Sequence, residues 1–368
     1  MRVAVVNLTS GGLSGGYAKY LRHVVPHLAR DSRIGDLHVC VPPAMQAPDL
    51  GTAPVVRWAP AAGGLARLIA QLAPDVVLVP TARWPGRLRV PVVTMVRNME
   101  PLLVPLEGHS WHEAARNLLR RGAARRACAR ATRVIAVSEY VRGFLEERWA
   151  VPHEKIGVVY HGVDEDACEP MAPAALTRDS RPFLFTAGSI RPARGLEDIL
   201  EAFSLAPPAA RLAIAGSTDP ATTRYAGRLK DAYGALARSG DVLWLGALNR
   251  SEMAWCFGHC VAFVATTRAE ACPNTALEAL AHGCVIVSTR QPPMPEFFED
   301  LAYYYPARDI AALAAAIRRV ESLSGDARAQ AGTAARRRAG AFSWSETARR
   351  TADQLQRARE RPLTKAVS

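Results

Sequence analysis

Short apolar runs alternate with helix-period patterns along the whole chain. In the first half the runs are ValAlaValVal (3–6), LeuHisValCysVal (37–41), a stretch around Val55–Trp58, and AspValValLeuVal (75–79). ProValValThrMetVal (91–96), ArgValIleAlaVal (133–137) and IleGlyValValTyr (156–160) follow. Between them, the spacing of apolar residues predicts helices over about 16–30, near 65–72, over 111–131 and up to about 148. The runs show little polar alternation, as expected of strands buried on both faces. Strand and helix in regular alternation predict a parallel sheet wrapped by helices.

The same rhythm restarts with PheLeuPheThrAla (183–187), ArgLeuAlaIleAla (211–215), ValLeuTrpLeu (242–245), ValAlaPheVal (261–264) and ValIleValSer (285–288). Helical patterns begin at Leu196, run up to Ala237, and recur near 251–257 and from about Asn274. The intervening segment, with Pro170, Pro173 and Pro182, has no period and reads as a linker. Ser343 followed by Glu346 gives a capping pattern for one last helix. The expected organisation is therefore a first domain over 1–168, a linker over 169–180 and a second domain over 181–342. A helix at about 343–361 closes the described order. A chain of 368 residues is more than one core usually supports, which agrees with two domains.

Composition narrows the class. Hydrophobic residues make up 49%, and no stretch approaches the roughly 18 apolar residues of a membrane span. The N-terminal apolar run is too short for a signal sequence and reads as a strand. The 7 cysteines lack CxxC pairing, which fits free thiols and a cytoplasmic location. Cys256 and Cys260 bracket His259 but lack a second ligand pair for zinc. The formal charge is +12, yet no nucleic-acid signature accompanies it, so no nucleic-acid partner is expected. An acidic partner fits better: a nucleotide diphosphate or an anionic membrane surface. Arg116, Arg120, Arg121, Arg125, Arg126 and Arg130 accompany Leu118, Leu119, Ala123 and Ala127 in the 111–131 helix. That helix suits peripheral contact with an anionic membrane, or simply a solvated basic face.

Two acids carry the most information. Glu270 stands in the loop after the 261–264 strand, and Glu278 stands one turn inside the following helix. Strand, short loop and helix N-terminus make an anion site, because free amides and the helix dipole converge there. Carboxylates on either side of it can accept hydrogen bonds from two hydroxyl pairs separated by a diphosphate. Sugar nucleotides have that layout. A second loop, AlaGlySerIleArgProAlaArgGly (187–195), offers Gly188 for close approach and Arg191 and Arg194 as a diphosphate clamp. In the loop 9–16, Gly15 and Gly16 precede the first helix without GxGxxG spacing, so an anion cradle and a flexible turn both fit. AspGluAsp (164–166) resembles a metal-binding triplet but reads better as a solvated turn. No metal and no cofactor are expected.

These motifs occur together in an order that resembles the family-4 retaining glycosyltransferases. The motifs are the GlyGly before the first helix, ValSerGluTyrValArg (137–142), ValTyrHisGlyValAsp (159–164), Arg191 with Arg194, and Glu270/Glu278 with CysProAsn between. The resemblance spans nearly the whole chain. It implies an α/β GT-B fold, two doubly wound Rossmann-like domains facing an interdomain cleft, with the last helix crossing back to the first domain. It also implies transfer of a sugar from a UDP- or GDP-sugar to an acceptor glycan, small molecule or lipid-linked sugar, with retention and without metal. By that likeness Glu270 would contact donor-sugar hydroxyls and Glu278 the ribose. Arg191 and Arg194 would hold the diphosphate, with Arg194 standing where the family usually has Lys. Gly188, Cys272, Pro273 and Asn274 would line the donor, and Gly15 and Gly16 would close over it. One departure stands out. The position after the 91–96 strand, where the family usually has His, is Arg97, with Asn98 next. Arginine cannot accept a proton near neutral pH, so Arg97 would hold an anionic group in the reaction. A nucleotide-sugar epimerase of the same fold and a silent sugar-nucleotide-binding subunit are the alternatives.

Overall fold

The computed structural model describes residues 1–9, 15–43, 45, 50–51, 53–103, 111–163, 168–178, 180–205, 208–220 and 222–361. The chain divides into two compact units. The first holds Met1–Val104, Ala115–Gly162 and Phe342–Ser368; the second holds Pro105–Ala114 and Val163–Ala341. The AspGluAsp triplet and the centre of the first Gly-rich loop lie outside the described residues.

In chain order the first unit contains β1 (Arg2–Val6), α1 (Gly15–Arg30), β2 (Asp36–Val41), β3 (Val55–Arg57), α2 (Gly64–Leu72), β4 (Val76–Val79) and β5 (Val92–Val96). Most of α3 (Trp111–Arg130), then β6 (Arg133–Ala136), α4 (Glu139–Trp149) and β7 (Ile156–Val158) complete it. Its 7-stranded sheet runs β3-β2-β1-β4-β5-β6-β7, and every pairing is parallel. Strands β4, β5 and β6 are buried at every position, which is why they read as unbroken apolar runs.

The second unit contains β8 (Phe183–Ala187), α5 (Leu196–Leu205), β9 (Arg211–Ala215), α6 (Thr223–Ala232), α7 (Gly234–Arg238), β10 (Val242–Gly246) and α8 (Arg250–His259). There follow β11 (Ala262–Ala265), α9 (Asn274–Ala281), β12 (Ile286–Thr289), α10 (Met294–Phe298), β13 (Ala302–Tyr305), α11 (Ile310–Glu321) and α12 (Gly325–Ala339). Its 6-stranded parallel sheet runs β10-β9-β8-β11-β12-β13. Both units are thus doubly wound Rossmann-like sheets. The helix expected up to Ala237 breaks at Tyr233 into α6 and α7. Residues 169–180 pack on this second unit: Met171 N donates to Ser251 O at 3.1 Å, and Leu176 is buried.

The last helix, α13 (Trp344–Glu360), starts at Ser343, whose hydroxyl accepts from Glu346 N at 3.2 Å. It packs along α1 in the first unit. Trp344 stacks on His23 at 5.1 Å and on His161 at 5.8 Å. Gly162 permits this approach: a Cβ there would lie 2.2 Å from Trp344 N. HisGly (161–162) therefore serves the docking of α13. Ser138, in the other first-unit motif, is the N-cap of α4, accepting from Val141 N at 3.2 Å. Both motifs do architectural work in the first unit.

The long basic helix buries one face and exposes the other. Asn117, Ala124, Ala127 and Cys128 form its buried face. Leu118 and Leu119 are 56% and 77% exposed beside the arginines, and Trp111 is exposed as well.

Candidate functional site

In the second sheet the chain winds outward from β8 to β9 and β10, then crosses back to β11 on the other side of β8. Connections leaving β8 and β11 therefore diverge, opening a crevice beyond the C-terminal ends of these two neighbours. Ligands of open α/β sheets bind at such a point. The loop after β8 carries Gly188, Arg191 and Arg194; the loop after β11 carries Glu270. Strand order thus brings two distant segments to one edge.

The two loops are tied together. Thr266 Oγ1 donates to Arg194 O at 2.7 Å and Thr267 Oγ1 to Ala193 O at 3.1 Å. Arg268 N donates to Ala193 O at 2.8 Å. Gly195, at φ 60°, lies so near that a Cβ would sit 2.4 Å from Thr266 O. Pro192–Arg194 form a single 3-10 turn that points Arg194 back toward β11. A pocket open to solvent results, with about 450 Å³ of empty space counting the solvent at its mouth. Gly188, Arg194, Glu270 and Pro273 line it, with Thr275 and Ala276 from the first turn of α9.

Within the pocket Arg194 Nη1 donates to Glu270 Oε2 at 2.8 Å. The guanidinium lies over Gly188, where a Cβ would be 3.1 Å from its Cζ and Nε. Gly188 holds φ 134°, a conformation that side-chain-bearing residues rarely adopt. Arg191 pairs with Asp219 across the β9 loop, Nη2 to Oδ2 3.3 Å. Each clamp arginine expected from sequence therefore faces a carboxylate.

The remaining expected residues are distributed. Cys272 is buried, and Asn274 opens α9 with its N–H given to Cys272 O at 3.0 Å. Glu278 is half-buried on α9, one turn in as its spacing indicated; α12 packs along that helix. Gly15 is the first residue of α1 and Gly16 the second. Arg97 follows β5 in the first unit, its guanidinium 4.8 Å from the Tyr17 ring centroid and 5.8 Å from that of Tyr20. Burial raises the hydroxyl of Tyr17 well above its ordinary range and pushes that of Tyr20 up to about 12. Both rings thus meet the cation as neutral π faces. Arg97, itself half-buried, thus packs against two rings of α1.

Three supporting residues were not expected. Asp198, buried in α5, accepts from Arg268 Nη2 at 3.0 Å, Arg308 N at 2.9 Å and Tyr305 Oη at 3.3 Å. Burial, and then the nearby Asp198 charge, keep the Tyr305 hydroxyl protonated as a donor. Arg268, two residues before Glu270, is thereby fixed to the start of α5. Asp219 is fixed by its own turn, accepting from Thr222 N at 3.0 Å. Only Asp219 had a local signal, the turn-forming GlySerThrAspPro (216–220) after a strand.

Residues 171–338 match the sequence profile of the glycosyl transferases group 1, and residues 14–167 that of glycosyltransferase family 4. No curated protein matches the chain in sequence. Among solved structures, a sucrose-phosphate synthase from Thermosynechococcus elongatus superposes with a TM-score of 0.78 at 16% identity, over 97% of this chain and 99% of that one. HepE from Anabaena, in complex with UDP and glucose, gives 0.74 at 18% identity, over 96% and 99%. A glycosyltransferase from Rickettsia africae gives 0.72 at 16%, over 98% and 100%. At these identities the structures speak for the fold alone, a GT-B architecture of two Rossmann-like domains.

Proposed function

This chain belongs to the family-4 glycosyltransferases, and from that membership we propose that it moves a sugar from a nucleoside-diphosphate donor to an acceptor hydroxyl with retention of configuration. The observation that carries the donor site is the pocket shared by Gly188, Arg194 and Glu270 at the β8/β11 crevice. Glu270 takes hydroxyls of the donor sugar, and Glu278 takes the ribose hydroxyls. Arg191 and Arg194 hold the diphosphate, which gains charge as the glycosidic bond breaks. Two guanidiniums can do there what a divalent cation does elsewhere, so the reaction proceeds without metal. With no histidine at position 97, the acceptor proton passes to the leaving diphosphate. The second unit binds the donor and the first the acceptor.

The donor is a UDP- or GDP-sugar; HepE in complex with UDP and glucose supports that class. The protein works in the cytoplasm. Its α3 surface, with exposed Trp111, Leu118 and Leu119 among arginines, suits contact with the anionic inner face of a membrane. That contact favours a lipid-linked acceptor.

The test is product analysis in the presence of chelator. Purified protein is incubated with sugar nucleotides, with and without a panel of acceptors, and released nucleotide and product anomers are resolved by NMR. Acceptor-dependent release with an unchanged anomeric configuration is expected. Conversion of the sugar without acceptor would instead make the protein an epimerase. Donor binding with no turnover would make it a silent subunit, and inverted product or chelator-sensitive transfer would overturn the mechanism.

A further inference from the structure

The two arginines assigned to the diphosphate are both charge-compensated: Arg194 by Glu270 at 2.8 Å and Arg191 by Asp219 at 3.3 Å. Two cations that each already face a carboxylate make a poor receptor for a diphosphate, so one acid has to give up its arginine when the ligand arrives. Asp219 is the worse candidate. Its carboxylate also accepts from Thr222 N at 3.0 Å, its own N–H donates to Thr222 Oγ1 at 3.0 Å, and its carbonyl accepts from Thr223 Oγ1 at 2.9 Å. Glu270 has a longer side chain, and its proposed second task is to accept sugar hydroxyls.

We infer that the Arg194–Glu270 contact senses the donor's sugar: the sugar hydroxyls draw Glu270 away and so release Arg194 to the diphosphate. The inference rests on the donor-site reading above. Its consequence is discrimination. An intact sugar nucleotide supplies hydroxyls that replace the guanidinium at Glu270, whereas a bare nucleoside diphosphate must compete with the carboxylate for Arg194. After transfer the sugar has left with the acceptor, Glu270 returns to Arg194, and the product diphosphate loses a cation. Substrate and product are thereby separated at the group that differs between them.

The experiment compares titrations of UDP, GDP, ADP, CDP and dTDP, and of their glucose or mannose conjugates, on the intact protein. Glu270→Gln and Glu270→Ala are the test variants, each also in the Arg194→Ala background, with melting temperatures checking folding. Both variants are expected to bind the cognate nucleoside diphosphate about fivefold more tightly, since a half-buried ion pair such as this one is worth on the order of 1 kcal/mol. The sugar conjugate should gain nothing comparable, so the preference for it falls. Unchanged or weaker diphosphate binding in both variants would overturn the inference. Tightening that persists when Arg194 is alanine would do so too, because it would then reflect only the loss of negative charge. Glu278→Gln separates the two layers: it should weaken diphosphate and conjugate alike. If it leaves both unchanged, or if no nucleotide binds the wild-type protein, the donor-site reading fails and takes this one with it.

Discussion

Replacing Gly188 by alanine tests whether the β8 loop is built around Arg194. Two costs can be worked from the geometry. The backbone sits at φ 134°, where a Cβ is strained by about 1–3 kcal/mol. At roughly 2–4 °C per kcal/mol, the melting temperature should fall by about 2–12 °C. The second cost is positional. The new Cβ would meet Arg194 Cζ and Nε at 3.1 Å and Nη2 at 3.2 Å, against a relaxed contact of about 3.5–4.0 Å. The guanidinium is the free end of a flexible side chain, so it yields by several tenths of an ångström and loosens its contact with Glu270. Misplacement on this scale, at a group meant to meet developing charge, lowers turnover about tenfold to a hundredfold. Steady-state kinetics on Gly188→Ala, Arg194→Ala and the double variant form a cycle. If the alanine acts through Arg194, it should cost little further turnover once Arg194 is gone, giving a coupling of at least about 1 kcal/mol. Fully additive losses would refute the argument and leave Gly188 as a backbone hinge unrelated to the clamp.

Arg97→Ala should lower transfer about tenfold, or roughly 1.4 kcal/mol of barrier, and should also cost a few degrees of melting temperature, because its stacking on Tyr17 and Tyr20 is worth about 0.5–2 kcal/mol. Normal kcat/KM with the same thermal loss would leave Arg97 as a packing residue only. Leu119→Glu, at a mostly exposed position, should leave soluble-acceptor transfer and melting temperature unchanged while weakening sedimentation with phosphatidylglycerol vesicles several-fold; equal binding by both forms, or none by the wild type, would remove α3 from the membrane.

What could be read in advance follows from the range of the interactions involved. The strands were legible because parallel strands covered on both faces are apolar at nearly every position, as in Val76–Val79 and Val92–Val96. The cap at Ser343 was legible because a cap is decided within three residues. Strand β13 and helices α10, α11 and α12 escaped notice for the opposite reason. AlaTyrTyrTyr is an edge strand only half-buried over most of its length, and the fully buried positions of α12 are all small, Gly332, Ala335 and Ala339. Alanine and glycine give a hydrophobicity pattern little contrast, so a helix held by close approach leaves a weak trace.

The site divides along the same line. Arg191, Arg194 and Glu270 were legible because each stands just past a strand, and strand ends are where open sheets place their ligands. Nothing local showed that β8 and β11 would be neighbours, nor that each arginine would find an acid across a gap of 28 or 76 residues. In a chain with 46 basic side chains, the presence of an arginine says little. The acid opposite it says more, because a carboxylate held against a guanidinium at a strand end must be displaced, shared or rigidly retained when an anion binds. Asp219, fixed by its turn, is built to be retained. Glu270, facing the pocket, is on the donor-site proposal the one that exchanges its arginine for a sugar's hydroxyls. The chemistry of the site therefore lies in the difference between these two pairings as much as in the arginines they share.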